Sequence, residues 1–254
     1  MRVTRLALLV CLVFSPLATG EVPILDGRWA MVQVYPQIAL LPIAGEVTRS
    51  SMVAQFVEVE QNGAMLTMRD AYCFTIVDDG TPLVETVIPD AFMASLMPEP
   101  RTAILVEQTA SVRFESSTYT EVRGVILDDP AFDPLPDGPE DPRVVDQDGD
   151  GNPGMTVRVS ILGLIGGETY VVQRVSYRLS GVVIGPDRIE GTIDWSDEQV
   201  VLGATSPLLE ADTIGALDPD PEAHRFVMVR VDETWTCEAL RESLEQILGE
   251  FESR

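Results

Sequence analysis

A single histidine, His224, stands in a chain of 254 residues, and that scarcity removes whole classes of chemistry. A Ser-His-Asp hydrolase would need it as the base, yet no Gly-x-Ser-x-Gly elbow occurs. One imidazole cannot complete a zinc set with cysteines that lack ligand spacing. Neither a Walker loop nor a dinucleotide fingerprint is present. Between a Pro/Asp loop and a strand, His224 reads as a surface or loop-packing residue. Lysine is missing altogether. Every basic residue is arginine, as a GC-rich genome would produce and a salty habitat would also favour.

Cysteine is nearly as scarce, at three. Cys11 lies in the opening "MRVTRLALLVCLVFSPLATG", where Arg2 and Arg5 precede an apolar run and Ala18-Thr19-Gly20 close it. This is the pattern of a secretory signal peptide over residues 1–20, with cleavage expected after Gly20. The run is too short to span a bilayer, so no membrane insertion is expected after cleavage. Cys11 lacks the small residues that a lipoprotein site would place ahead of it. A secreted or periplasmic location of bacterial type follows. In that oxidising setting Cys73 and Cys237 are expected to pair, the alternative being two free buried thiols.

Positive charge is the third shortage. Without Arg2 and Arg5 the chain keeps 15 basic residues against 41 acidic ones, a balance of −26. Such a surface repels nucleic acid and anionic membranes while favouring solubility and cation binding.

What is present is mostly strand pattern. "SMVAQFVEVEQNGAMLTMRDAYCFTIV" centres on Asn62-Gly63, a preferred two-residue hairpin turn. Pairing outward from it places Val59 opposite Leu66, Val57 opposite Met68 and Val53 opposite Tyr72 on one apolar face. Short strands are also expected around Arg28 to Val34, in "TAILVEQ" and "SVRFESSTY", and from Met155 through "DRIEGTIDWS" and "EQVVLGAT" to "RFVMVRV". Breaks are expected at Gly166-Gly167 and at Ser196-Asp197, and residues 81–100 are weakly patterned. From residue 127 to 154 the chain is an Asp/Pro/Gly-rich insertion. At the end the period changes: Leu240, Leu244, Ile247, Leu248 and Phe251 form one helical stripe, with Thr236 as N-cap and Glu238 in the first turn. Residues 21–254 therefore read as a single all-β domain, an antiparallel meander barrel or sandwich with one C-terminal helix.

The "GRW" tripeptide in a first strand, the meander order, a disulfide reaching the C-terminal region and a late helix together resemble a lipocalin-type barrel. The resemblance implies an interior able to admit a small apolar ligand. Trp29, Phe56, Tyr72, Tyr177 and Trp195 are the candidate lining residues, the alternative for each being ordinary core packing.

"DQDGDGNPG" sets Asp146, Asp148 and Asp150 at alternate positions, with Gly151 at the sixth place and Asn152 at the seventh. Calcium takes six to eight oxygens, and such a loop turns alternate side chains inward. The start resembles the D-x-D-x-D-G calcium loops of EF-hands, dockerins and thrombospondin type-three repeats. Place twelve, however, is Val157 in a strand, which argues against a true EF-hand. Further ligands would come from Asp128, Asp129, Asp133, Asp137, Glu140 or Asp141. The expectation is a binding or structural protein, not an enzyme, with a structural calcium loop. A carboxylate-dependent glycan-active enzyme and a calcium-dependent adhesive or surface component are the alternatives.

Overall fold

The computed structural model describes residues 22–41, 45–210 and 214–252; the expected signal peptide lies outside the described residues. Twelve strands and three α-helices occur among them, and every strand pairing is antiparallel. In chain order they are β1 (Gly27–Leu41), β2 (Gly45–Asn62), β3 (Met65–Asp78), β4 (Val84–Val87), α1 (Asp90–Ser95), β5 (Arg101–Glu107), β6 (Val112–Ser116), β7 (Tyr119–Arg123), β8 (Met155–Ile161), β9 (Ile165–Gly185), β10 (Arg188–Ala204), β11 (Ile214–Leu217), β12 (Arg225–Arg230), α2 (Cys237–Glu242) and α3 (Leu244–Glu252).

Eight of the strands close a hydrogen-bonded ring in the order β1, β2, β3, β5, β6, β9, β10, β12. The chain visits this ring in sequence order. β9 carries the longest share. One edge pairs with β10 along nearly its whole length, while the other is divided among β8 (Ile165–Val171), β7 (Gln173–Tyr177) and β6 (Ser180–Val183). Only Val172, Arg178, Leu179, Ile184 and Gly185 lie outside these ladders, so little of that edge is left to seek a stray partner.

Several local expectations need correcting. The hairpin turn falls at Gly63-Ala64, with Asn62 paired to Met65 and Val59 to Met68, two residues from the register Asn62-Gly63 would give. A two-residue slip keeps side chains on their faces near the turn; past a register irregularity between Ala54 and Gln55, Val53 pairs with Thr75 instead of Tyr72, and Val53, Val57, Val59, Leu66, Met68 and Tyr72 still share one buried cluster. β1 runs past Pro36 because its other edge changes partner there, from β12 (Trp29–Val34) to β11 (Gln37–Leu40). The missing N–H is therefore not needed by a ladder. "SVRFESSTY" is divided between β6 and β7. β10 runs through Ser196-Asp197, and the turn expected at Gly166-Gly167 lies at residues 162–164 instead. Residues 81–100 hold β4 and α1, whose Phe92 and Met93 are buried in the main core.

The "GRW" segment has a physical account. Arg230 lays its guanidinium 4.6 Å from the Trp29 ring centroid and donates to the carbonyls of Asp26 (2.6 Å) and Ile24 (2.9 Å). A Cβ on Gly27, whose φ is +119°, would stand 3.1 Å from that guanidinium. Trp29 itself is fully buried and donates from its indole to the Leu25 carbonyl at 2.9 Å. This cation–π cap shuts one end of the ring.

The helical stripe lies over the outer face of the β12–β1–β2–β3 sheet. Leu240, Leu244 and Ile247 are buried against Ala30, Val32, Ala54, Phe56, Phe74 and Val227, at about 1.5–3 kcal/mol per large side chain. It is two helices, broken at Ser243, whose hydroxyl bonds back to the Ala239 carbonyl at 2.8 Å. Thr236 caps the first, its hydroxyl accepting from Ala239 N–H at 3.2 Å. Cys73 and Cys237 are bonded, which staples this layer to β3 across 164 positions of sequence. The double variant Cys73→Ala/Cys237→Ala is expected to lose about 3–5 kcal/mol in urea unfolding by loop-closure entropy. An unchanged midpoint would show that the helices dock without the staple.

Candidate ligand cavity and acidic loop

Inside the ring the inward positions change character along each strand. At the end capped by Arg230, Leu66, Met68, Phe114, Leu179 and Phe226 fill the space at no more than 1% exposure. Above them comes a belt of polar side chains. Asp70 accepts two bonds from Arg101, at 2.5 and 3.0 Å, with both side chains almost fully buried. Glu121 accepts from Tyr72 at 2.9 Å and from Arg123 at 2.6 Å. Arg123 continues to the Gln173 oxygen at 3.2 Å, and Gln173 donates to Asp197 at 2.9 Å. Buried ions of this kind are tolerated only when paired and bonded in this way.

Beyond the belt the ring holds a cavity of about 570 Å³, within the range of small-molecule sites, roughly 300–1,000 Å³. One wall is apolar: Val157, Val159 and Ile161 of β8, Ile165 and Val171 of β9, Val201 of β10, with Leu208 and Leu209. Arg49, Asp79 and Thr86 also border it, Thr86 lying on β4 beside Val159 of that wall; Asp79 accepts from the Thr86 amide (2.7 Å) and hydroxyl (2.9 Å) and faces Arg49 at 3.5 Å.

Of the aromatic residues expected to line an interior site, Tyr72, Tyr177 and Trp195 border this cavity. Trp29 lies in the capped end, and Phe56 faces outward beneath the C-terminal helices with Arg28 over its ring at 4.1 Å. Trp195 meets Tyr35 edge-on at 4.8 Å and donates from its indole to Nδ1 of His224 at 2.7 Å. His224 Nε2 must then carry the proton and donates to the Asp218 carbonyl at 2.8 Å. The histidine is buried rather than on the surface, and its two nitrogens are spent in tethering Trp195. Single residues of β4, β8 and the Leu208-Leu209 turn were not expected at a site, since only the pairing of β8 with β9 and of β4 with β8 brings them to it.

Asp146, Asp148 and Asp150 converge, each offering a carboxylate oxygen within 4.8 Å of the others. Asp146 accepts from the amides of Asp150 (3.1 Å) and Gly151 (2.9 Å), and Asp150 from that of Asn152 (2.9 Å). Asp148 Oδ2 accepts from Thr156 N–H at 3.3 Å, while its Oδ1 is buried without a hydrogen-bond partner among the described residues. Burial, with Asp150 and Asp146 nearby, pushes the Asp148 carboxyl above its ordinary pKa. Among the described residues none of Asp128, Asp129, Asp133, Asp137, Glu140 and Asp141 joins this cluster; Asp141 is held by Arg143 at 2.7 Å. A strand follows the loop directly. The insertion is pinched shut at Gly124 and Gly154: a Cβ on Gly154, with φ at +82°, would meet the Val171 carbonyl at 2.4 Å. Its Val125, Leu127 and Leu135 pack on Val172 and Leu202, on the outer face of β9 and β10. The loop residues do not border the cavity.

No family model, no curated protein and no solved structure matches this chain.

All five tyrosines, Tyr35, Tyr72, Tyr119, Tyr170 and Tyr177, have their pKa raised, with burial the largest cause, and that of Tyr119 reaches about 12. A raised folded pKa contributes stability that is complete below the unfolded value near 10 and is lost as pH climbs through the folded one. Phenolate absorbance is therefore expected to rise together with loss of β signal above about pH 10. Early titration of most tyrosines in a protein still folded would contradict the buried belt.

Proposed function

We propose that this is a secreted or periplasmic, lipocalin-like β-barrel protein that carries a small apolar ligand and is stiffened by a structural calcium ion. The cavity carries the reading: its volume suits a small molecule, and one wall is built from apolar side chains of β8, β9 and β10. The Cys73–Cys237 bond is compatible with an extracellular compartment. No helix among the described residues is long and apolar enough to cross a membrane.

Binding is favoured over catalysis because the carboxylates at the cavity are already engaged. Glu121 is bonded by Arg123 and Tyr72, Asp79 by Thr86 and Arg49, and Asp197 by Gln173. A glycosidase needs one carboxyl free to donate a proton and another free to attack or to activate water. For calcium, three converging carboxylates and the partnerless Oδ1 of Asp148 form a set of hard oxygen ligands.

A neutral apolar fluorophore, N-phenyl-1-naphthylamine, is expected to bind one-to-one and to quench Trp195. The variant Val157→Trp, which fills the cavity, should lose that binding while melting normally. Equal binding by the variant, or none by the wild type, would overturn the carrier reading, and cleavage of a glycan panel would revive the enzyme. Separately, calcium should stabilise the wild type by about 2.7 kcal/mol at a hundredfold excess over Kd. Asp148→Ala should abolish the response; equal melts in calcium and in chelator would refute the ion.

A further inference from the structure

Two side chains at the floor of the cavity are buried yet carry polar atoms with no partner among the described residues: Gln33 Nε2, at 1% exposure, and Tyr177 Oη, at 3%. Arg49 Nε, also at the cavity, is a third such atom. All three can donate a hydrogen bond, and two can do nothing else. The polar groups around them are spent on one another. Tyr72 serves Glu121, Arg123 serves Glu121 and Gln173, and Gln173 serves Asp197. The cavity thus offers spare donors against satisfied acceptors.

In the free protein such donors are served by water that enters the cavity. A ligand that displaces this water without replacing its bonds loses affinity, so it must bring acceptors of its own. The charge balance then narrows which acceptors. The ionisable groups bordering the cavity with fixed charge are Asp79, Glu121 and Asp197 against Arg49 and Arg123, a balance of −1. Both arginines face an acid of their own, and Asp197 is met by the neutral amides of Gln173 and Gln37. An anionic head would have to displace one of these acids from its arginine or lie beside the Asp197 carboxylate. A cationic head would find Asp197 but would leave the three donors without partners.

We infer that the ligand is a neutral amphiphile with a carbonyl-type acceptor head, an ester or amide, seated on Gln33 and Tyr177 with its chain along the apolar wall of β8. The inference rests on the carrier reading and adds to it the polarity of the head and the residues that read it. Gln33 and Tyr177 are specificity-determining residues in this scheme, and Val159, Ile161 and Leu209 supply affinity by area alone.

The test is displacement of N-phenyl-1-naphthylamine by four compounds of matched chain: methyl decanoate, undecane, decanoate and decylammonium. Methyl decanoate should displace best. Tyr177→Phe and Gln33→Leu, which keep ring and volume, should each weaken it by about five- to tenfold, the worth of one neutral hydrogen bond. Undecane should bind all three proteins alike, which also reports that the variants are folded. Equal affinity for ester and undecane, or an ester affinity unmoved in both variants, overturns the acceptor head while the carrier reading stands. Tighter binding of decanoate or decylammonium overturns it in favour of an ionic head. If none of the four displaces the fluorophore, the carrier reading falls and this inference falls with it.

Discussion

The backbone edge of β9 is the constraint from which the interior follows. Every N–H and C=O along it must find a partner, and three different strands share that duty. Where β6 takes its part, the ring is closed by short neighbours and its interior is narrow enough for Phe114, Leu179 and Phe226 to fill. Where β7 and β8 take over, β8 pairs outward with β4 instead of with the rest of the ring. There β3 meets the wall through the polar belt, where Tyr72 bonds Glu121, and beyond that belt the cavity opens.

A core with an open space gives up dispersion contacts, and lined cavities in proteins cost stability in proportion to their size. Here the boundary of that space is formed by the polar belt. The bidentate Asp70–Arg101 pair fixes β3 to β5 at the point where those strands begin to part, since their ladder covers only Met65–Met68. Removing one member would strand the other charge, at about 3–5 kcal/mol, whereas replacing both by apolar side chains would cost far less. Such a pair defines geometry more than it adds stability. It holds the floor of the cavity at one level, with Tyr177 beside the Arg101 guanidinium at 5.7 Å.

Much of the fold was legible in the sequence because alternation survives errors of register. The Asn62-Gly63 hairpin was misplaced by two residues, and faces held near the turn because parity is conserved there; the irregularity between Ala54 and Gln55, which alternation does not announce, pairs Val53 with Thr75 instead of Tyr72. The pairing of Cys73 with Cys237 and the cap at Thr236 were equally readable, being local or forced by number. The cavity was not. Periodicity tells that Trp29, Tyr72, Tyr177 and Trp195 all point inward, but it is blind to height along the ring. Trp29 lies in the filled half and the other three at the cavity. Phe56 shows the second limit: it is as apolar as a core residue because a helix more than 180 positions later covers the outer face there. Pro36 shows a third, since a proline is harmless where a neighbouring strand hands over to the next.

The acidic loop and the cavity, far apart in chemistry, meet in one strand. Gly154, packed against the Val171 carbonyl, ends the insertion, and Met155, the next residue, is already part of the cavity wall. Asp148 accepts from the amide of Thr156 one position further on. β8 is therefore tied at its start to the aspartate cluster, while its inward side lines the cavity. Three carboxylates crowded at the root of a wall strand repel one another, and that repulsion would be felt as slack in β8 unless a cation offset it. The placement fits the structural role proposed for the loop and not that of a sensor: an ion there would stiffen one wall of the cavity from residues that do not border it.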